Sequence, residues 1–294
     1  MLKGIFPPIA TPFIADELSI KNLEFNISKW NEYDLGGYVV MGSNGESAFL
    51  TFEEKVQLVS AVKKYSARDK IIIAGTGSDS IKDTIKLTNA CAENGAEYAL
   101  VLTPSFYKSK MNDAAMIDYF STVADSSTIP VIIYNVPKFT GISISSAAVA
   151  TLAEHSNIVG LKNSTENLAE LMNFVSNTPD DFSVLVGTAS VLYPGLCGGA
   201  SGGIVALANI APQQCLELYN LSISGKHDEA LILQNSLIEP NKAVTAQYGV
   251  AGLKAALDKL GYYGGKPRKP LQTLNDYEIK DLESFINMFS ETYS

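Results

Sequence analysis

Eight short runs of apolar, largely β-branched or aromatic residues alternate with longer amphipathic stretches from the N-terminus to about residue 225. This alternation is typical of repeated strand–helix units. Eight such units in a chain of 294 residues predict an α/β fold, a (β/α)8 TIM barrel. A doubly wound sheet is the alternative, but it requires a glycine fingerprint at its first strand–helix turn, and the sequence has none there. The predicted strands occupy residues 4–9, 38–41, 71–75, 98–102, 131–135, 158–162, 184–187 and 203–206.

Several of the intervening helices have recognisable start signals. Thr51 and Glu54 form a capping-box pattern for a helix that is predicted to reach residue 65. Ser80 and Asn112 likewise predict helices that extend to residues 94 and 126. We expect the helix after the sixth strand to begin at Thr165.

Strand signals stop after residue 225, and only helical patterns follow. They cover residues 226–238, a stretch from about 241 to 260, and residues 277–289. We therefore predict a barrel over residues 1–225 and a C-terminal helical extension over residues 226–294 that packs on it.

Composition excludes several classes of function. The net charge of −9 and the lack of long basic clusters argue against nucleic acid and anionic membrane surfaces as partners. No apolar run is long enough to span a bilayer, and we expect no signal peptide, because the prolines at 7 and 8 interrupt the N-terminal run before an apolar h-region could form. Three widely spaced cysteines are typical of reduced thiols, so we expect a cytoplasmic protein. With only two histidines, we expect no histidine metal site, no Ser-His-Asp triad and no cofactor.

Lys162 ends the predicted sixth strand, in the apolar run 158–163. An amine among apolar neighbours is poorly solvated as an ammonium, so part of it is available to attack a carbonyl and form a Schiff base. The alternative is a solvated surface charge at a strand end. Tyr134 ends the fifth strand, and adjacent parallel strands place their ends side by side. Its hydroxyl can relay protons to an imine, although a buried aromatic with a satisfied hydroxyl is the alternative.

The turn after the second strand, residues 42–47, has glycines that allow close approach of the backbone to a ligand. The consecutive N–H groups of Ser43 and Asn44 can hold a carboxylate without a cationic side chain. A polar turn that simply leads into the helix capped by Thr51 is the alternative.

Three motifs in order resemble the dihydrodipicolinate synthase and N-acetylneuraminate lyase family of class I aldolases. They are Gly-Ser-Asn-Gly-Glu at 42–46, Tyr-Asn-Val-Pro at 134–137 and Gly-Leu-Lys at 160–162. The resemblance covers nearly the whole chain. Within the family, the Ser-Asn pair in place of Thr-Thr, together with the runs 238–241 and 261–265, most closely resembles members that cleave 4-hydroxy-2-oxoglutarate.

The resemblance implies a role for each of four catalytic residues. Lys162 would form an imine with the keto group of pyruvate, and Tyr134 would relay protons together with Ser43 and Tyr107. Tyr107 would come from a neighbouring subunit of a tight dimer within a homotetramer. The motif does not distinguish Phe106 from Tyr107 by position, and Tyr107 is chosen because it carries the hydroxyl.

The resemblance also implies the substrate-binding residues. Ser43 and Asn44 would bind the pyruvate carboxylate, and the backbone of Ile204 would close the pocket. Members that use aspartate semialdehyde carry an arginine two residues after the Tyr-Asn-Val-Pro proline, and here Phe139 occupies that position, after Lys138. An apolar ring cannot reproduce a bidentate guanidinium, and this substitution counts against dihydrodipicolinate synthesis.

We therefore predict a pyruvate-dependent class I aldolase that reversibly cleaves a 4-hydroxy-2-oxo acid, 4-hydroxy-2-oxoglutarate, to pyruvate and the aldehyde glyoxylate. The alternatives are dihydrodipicolinate synthesis from pyruvate and aspartate semialdehyde, and aldol cleavage of 2-keto-3-deoxy sugar acids. A non-catalytic keto-acid-binding barrel is the alternative from another class, although it would need neither Lys162 nor Tyr134.

Overall fold

Eight parallel strands form the centre of the molecule. The computed structural model describes residues 1–291, with side chains as far as residue 287. Neighbouring strands pair in the order β1-β8-β7-β6-β5-β4-β3-β2. The strands are β1 Gly4–Ile5, β2 Gly37–Val40, β3 Ile71–Gly75, β4 Tyr98–Leu102, β5 Val131–Asn135, β6 Ile158–Asn163, β7 Ser183–Val186 and β8 Gly202–Gly203.

Backbone contacts between the chain after β1 and strand β2 close this sheet into a barrel. Val39 N donates to Pro7 O at 3.0 Å, and Ile9 N donates to Val39 O at 3.0 Å. The predicted barrel is confirmed, but β1 is shorter than the predicted 4–9, because Pro7 and Pro8 have no N–H to donate to a ladder. The predicted eighth strand, 203–206, is also too long, because the chain enters a 3-10 turn at Ala206–Asn209.

Helices alternate with the strands and surround them. The helices are α1 Ile20–Trp30, α2 Phe52–Tyr65, α3 Ile81–Glu93, α4 Asp113–Ser126, α5 Pro137–Thr140, α6 Ser146–Ala153, α7 Leu168–Ser176, α8 Leu192–Cys197, α9 Pro212–Ile223, α10 His227–Lys242, α11 Gly249–Lys259 and α12 Asp276–Glu291. A two-stranded hairpin, Phe13–Ile14 with Glu17–Leu18, lies between β1 and α1. Helices α2, α3 and α4 begin at the predicted caps, and Thr51 completes its capping box with Glu54.

The predicted start of α7 at Thr165 is wrong. The cap is Asn167, whose Oδ1 accepts from Glu170 N at 3.1 Å. The Thr165 hydroxyl instead donates to the Glu170 carboxylate at 2.9 Å and accepts from the Asn163 amide at 3.0 Å. Its side chain therefore joins the loop after β6 and leaves the helix end to Asn167.

The predicted helix boundary between residues 238 and 241 is also wrong. Helix α10 continues through Pro240 to Lys242 and is followed by a π-helical turn, Ala243–Gln247. A proline inside a helix costs about 3 kcal/mol. Pro240 and Asn241 are both buried, so tertiary packing overrides the local signal to end the helix.

We use the term C-terminal extension for α10, α11, α12 and the segments that join them. Helix α10 packs on α8 and α9, and α11 contacts the turn after β2. The barrel interior is filled by a separate apolar cluster that includes Phe6, Ile132, Leu185 and Ile204. This packing leaves the carboxyl ends of the strands as the open face. Within the described part of the chain, no helix is long and apolar enough to cross a membrane.

Candidate active site

Lys162 and Tyr134 lie side by side at the carboxyl ends of β6 and β5. The two residues are register partners in the parallel ladder. Lys162 Nζ lies 4.2 Å from the centroid of the Tyr134 ring, and Lys162 is only 3% exposed. A solvated surface lysine would extend into water, so the alternative considered for Lys162 does not describe its environment. The arrangement places an amine and a phenol against the same small volume.

Tyr134 is subject to opposing influences on its acidity. Burial raises its pKa, but the charge of Lys162 and hydrogen bonds from Ser43, Ser164 and Lys162 outweigh burial, and the pKa is lowered overall. Its hydroxyl oxygen lies 3.4 Å from Ser43 Oγ, and either oxygen can donate. A phenol with a lowered pKa releases and recovers a proton more readily near neutral pH than a free tyrosine does.

The turn after β2 lines the same small volume as Lys162 and Tyr134. Ser43–Gly45 form a single 3-10 turn, and the Thr11 hydroxyl donates to Gly45 O at 2.7 Å. The Asn44 Nδ2 atom is buried and has no hydrogen-bond partner within the chain. Buried amides are normally paired, so an unpaired donor beside Lys162 provides a place for an anionic oxygen.

A cavity of about 340 Å³ joins these residues. An adjoining cavity of about 520 Å³ shares Ser43, Tyr134, Val136 and Phe139 with it. A larger cavity of about 830 Å³ lies between the hairpin and the C-terminal extension, and its lining includes none of Lys162, Tyr134 and Ser43. We locate the site by its chemical groups and not by cavity size.

Sequence reasoning missed Ser164, which hydrogen-bonds to Tyr134. Its position two residues after Lys162 was a usable signal, because alternate residues of a strand lie on the same face. Thr188, Glu166 and Thr245 also line the smaller cavity. Thr245 belongs to the π-helical turn, a type of helix irregularity frequent at functional sites.

Tyr107 lies away from the site of its own chain. It is 69% exposed and packs edge-on against Phe106, which is also exposed. Asp79 holds this loop through its Oδ1, which accepts from Ser105 N at 2.6 Å and from Phe106 N at 2.8 Å. The loop therefore presents two aromatic side chains outward from a fixed base.

The two remaining predicted residues occupy different environments. Phe139, on α5, is 63% exposed and lines both cavities. Lys138 beside it donates to Thr245 O at 3.3 Å. Ile204 is fully buried, and its N–H already donates to Val186 O at 2.8 Å. Ile204 belongs to the apolar cluster of the barrel interior and is not among the residues that line the two cavities, so its role in closing the pocket stays a prediction.

Among the described residues, no group of three or more His, Cys, Asp or Glu side chains is arranged to hold a metal ion. The polar groups that line the smaller cavity are hydroxyls, amides, two lysines and the Glu166 carboxylate. Such a set can bind a carboxylate, form an imine and transfer protons.

Comparison with known proteins gives consistent matches. The sequence profile of the "Dihydrodipicolinate synthetase family" matches residues 1–288. The chain is 34% identical over 293 residues to a 4-hydroxy-tetrahydrodipicolinate synthase of Methanothrix thermoacetophila, covering 99% of this chain and 98% of that protein. It is 33% identical over 298 residues to a "Probable 4-hydroxy-2-oxoglutarate aldolase, mitochondrial" of Emericella nidulans, covering 99% and 95%.

The fold matches a solved structure over nearly its whole length. The crystal structure of dihydrodipicolinate synthase from Aquifex aeolicus superposes with a TM-score of 0.94 at 29% identity and covers 98% of each chain. The sequence relatives carry three different activity names, since an L-threo-3-deoxy-hexylosonate aldolase of Hypocrea jecorina is also 32% identical over 298 residues, covering 96% of this chain and 94% of that protein. The choice of substrate therefore depends on the site itself.

Proposed function

This chain belongs to the dihydrodipicolinate synthetase family, and from that premise we propose that it reversibly cleaves 4-hydroxy-2-oxoglutarate into pyruvate and glyoxylate. Members of the family are pyruvate-dependent lyases that act through a Schiff base, and this chain is a class I aldolase. The observation that supports the chemistry best is the contact between the buried Lys162 amine and the Tyr134 ring.

In the proposed mechanism, Lys162 Nζ attacks the C2 keto carbon of the substrate, and loss of water gives the protonated imine. Tyr134 then takes the proton of the C4 hydroxyl while the C3–C4 bond breaks. The electron pair of that bond moves into the imine and gives an enamine, and glyoxylate leaves. Protonation of the enamine at C3 and hydrolysis of the imine release pyruvate and restore the amine.

The turn after β2 binds the carboxylate next to the keto group. The N–H groups of Ser43 and Asn44 and the unpaired Asn44 amide supply donors without a formal charge. Ser43 also bonds to Tyr134 and extends the proton path. Ser164 contacts the same hydroxyl, and we assign it a supporting role in that path.

Phe139 counts against aspartate semialdehyde as the partner aldehyde, but it does not by itself select glyoxylate, which also carries a carboxylate. Its apolar ring lines the cavity where a guanidinium would hold a second carboxylate by two parallel hydrogen bonds. Glyoxylate is a two-carbon fragment, and its small size suits the cavity of about 340 Å³.

Tyr107 supports the assembly that we propose. A homotetramer built from tight dimers would insert Tyr107 of one subunit beside Tyr134 of the next and would cover the exposed ring of Phe106. The mass of the protein in solution tests this assembly, since a monomeric mass would remove Tyr107 from the site.

Borohydride trapping tests the Schiff base. Reduction in the presence of pyruvate should add one reduced pyruvyl group to Lys162, detected by peptide mass spectrometry. Lys162→Ala should take no label. Lys138→Ala, which removes another amine of the same cavity, should still be labelled at Lys162. A native protein of unchanged mass would end the proposal.

A panel of substrates tests the choice of aldehyde. Dihydrodipicolinate synthase activity is the second candidate, because a relative 34% identical carries that activity name. Turnover should be highest with 4-hydroxy-2-oxoglutarate, compared with pyruvate plus aspartate semialdehyde and with 2-keto-3-deoxy sugar acids. Faster condensation with the semialdehyde would favour the second candidate and leave the Schiff base in place.

A further inference from the structure

Glu46 ends the turn that faces Lys162, and its carboxylate is fully buried. Its backbone is left-handed, with φ 58° and ψ 35°, a conformation that costs a non-glycine residue about 1 kcal/mol or more. Both groups that hold this carboxylate come from the C-terminal extension. Lys254 Nζ lies 2.5 Å from Oε1, and Arg268 N donates to Oε2 at 2.7 Å.

Lys254 reaches Glu46 from α11 and is itself fully buried. Its ammonium also donates to Lys266 O at 3.1 Å and lies 4.5 Å from the centroid of the Phe13 ring. Burial lowers the pKa of Lys254, while the Glu46 charge opposes that effect. Burial of two opposite charges costs several kcal/mol per ion and is often no more stabilising than apolar packing. A contribution to stability is therefore a weak explanation for this buried ion pair. A better explanation is that the pair fixes the geometry of the turn after β2.

Arg268 anchors the same region from a second direction. Its guanidinium forms two bonds to the Glu54 carboxylate, at 2.8 and 2.6 Å, and a third to Asp16 at 2.9 Å. It also donates to Phe49 O at 2.8 Å, just beyond the turn. The extension thus joins the hairpin, the turn and the start of α2 through two cations.

From these contacts we infer that Glu46 and Lys254 are positioning residues that aim the Ser43 and Asn44 N–H groups at the carboxylate of the bound keto acid. Glu46 N donates to Ser43 O at 3.2 Å, so a change at Glu46 is transmitted directly to the turn. Backbone donors hold an anion only when they converge on it, and this turn has no cationic side chain that would compensate for misalignment. This inference rests on the proposed function.

The decisive variant is Glu46→Gln combined with Lys254→Met, which removes both charges and preserves side-chain volume. Neutralising both members of the pair leaves no buried charge unpaired, whereas removal of one partner strands a buried charge. We expect the pyruvate concentration for half-maximal borohydride trapping to rise about tenfold. Trapping at saturating pyruvate and kcat should change by less than about threefold, because the imine chemistry itself is intact.

The matched control is Lys70→Met. Lys70 is another buried lysine, 4% exposed and paired with Asp69 at 2.9 Å, but it precedes β3 at the opposite end of the barrel. Lys70→Met should lower the thermal midpoint of unfolding and leave the pyruvate concentration for half-maximal trapping unchanged. Glu46→Gln alone is measured as a second variant, since its amide oxygen can still accept from Arg268 N.

Each outcome decides one question. Suppose that native protein is labelled and that both Glu46 variants reach half-maximal trapping at the same pyruvate concentration as native protein. This result overturns the inference and leaves the proposed function intact. The inference is also overturned if the variants yield less folded protein but the folded fraction needs the native pyruvate concentration for half-maximal trapping. The pair would then act on stability alone. Native protein that takes no label overturns the proposed function, and this inference falls with it.

Discussion

Burial and charge act against each other at Tyr134. An apolar surrounding favours the neutral phenol, whereas the adjacent ammonium and the Ser43 and Ser164 hydroxyls favour the phenolate. Tyr134 can serve in both directions of a reversible aldol reaction only if neither form is strongly preferred. The balance depends on the positive charge at Lys162 Nζ, which the protonated imine keeps and the enamine loses, so the acidity of the relay is coupled to the state of the amine.

This coupling predicts the effect of Lys162→Met on the pKa of Tyr134. Methionine is nearly isosteric but uncharged, so burial is opposed by hydroxyl groups alone and the pKa should rise above its native value. NMR titration of ring-labelled tyrosine would measure the change, with Tyr134→Phe used for assignment. Lys138→Met removes a different cation from the cavity lining and should leave the titration as it is. An unchanged pKa in Lys162→Met would contradict the coupling.

Tyr134→Phe itself should separate the two stages of the reaction. The ring and its contact with Lys162 are retained, but the proton relay is lost, so kcat for aldol cleavage should fall about 10²-fold or more. Trapping of pyruvate at Lys162 should be slower but should still go to completion, since the amine that forms the imine is retained. Tyr98→Phe, at the amino end of β4, should keep native turnover. Normal cleavage by Tyr134→Phe would remove this residue from the mechanism.

At the scale of elements, the short helix α5 controls the outer wall of the cavity. It begins at Pro137, directly after the Tyr-Asn-Val segment of β5, and places Phe139 over both cavities. Lys138 is bound to Thr245 O across the cavity, so the C-terminal extension limits its freedom. We therefore propose Phe139 as the residue on this helix that selects the aldehyde.

Phe139→Arg should shift the preference for the aldehyde. A guanidinium at this position can bind a second carboxylate in a bidentate manner, worth about 1.5–3 kcal/mol for a charge-assisted pair. We expect kcat/KM for condensation of pyruvate with aspartate semialdehyde to rise at least about tenfold relative to an aldehyde without a carboxylate, such as propanal. Steady-state kinetics with both aldehydes would measure the ratio. Phe25→Arg, on the exposed face of α1, is the control and should leave the ratio at its native value. A native ratio in Phe139→Arg would show that α5 does not select the aldehyde.

Local signals predicted some elements well and others poorly for physical reasons. The cap at Thr51 and the runs of β3, β4 and β5 act within a few residues, and the structure confirms them. The helix boundary predicted between residues 238 and 241 is wrong because buried tertiary contacts outweigh the local cost of Pro240. The juxtaposition of Lys162 and Tyr134 followed from barrel topology alone. The bond from Lys254 to Glu46 spans 208 residues of sequence, and no periodicity of the chain indicates it.

At the scale of the whole molecule, the tight core affects stability at alkaline pH. Cys91 and Cys215 are fully buried, and burial raises the pKa of each thiol from 9.0 to about 12. Burial also raises the pKa of Tyr119 from 10.0 to about 12. All three groups are neutral in the folded protein under conditions in which the unfolded chain has already ionised them.

The sign of the effect follows from which state holds the proton. Below about pH 9 both states keep the thiol protons, and the full stability is present. Between about pH 9 and 12 only the folded state keeps them, so the free energy of unfolding should fall by roughly 1 kcal/mol per thiol for each pH unit. Tyr119 adds to the decline above about pH 10.

Denaturant unfolding over a pH series would measure this loss. Cys91→Ala should be less stable near neutral pH because of the small cavity it creates, but its decline above about pH 9 should be shallower by the share of one thiol. Cys197→Ala is the matched control, because Cys197 is exposed and should leave the slope unchanged. Equal slopes for the native protein and Cys91→Ala would show that this thiol ionises freely in the folded state. The core around α3 would then open before the barrel unfolds, since Cys91 lies on the buried face of that helix.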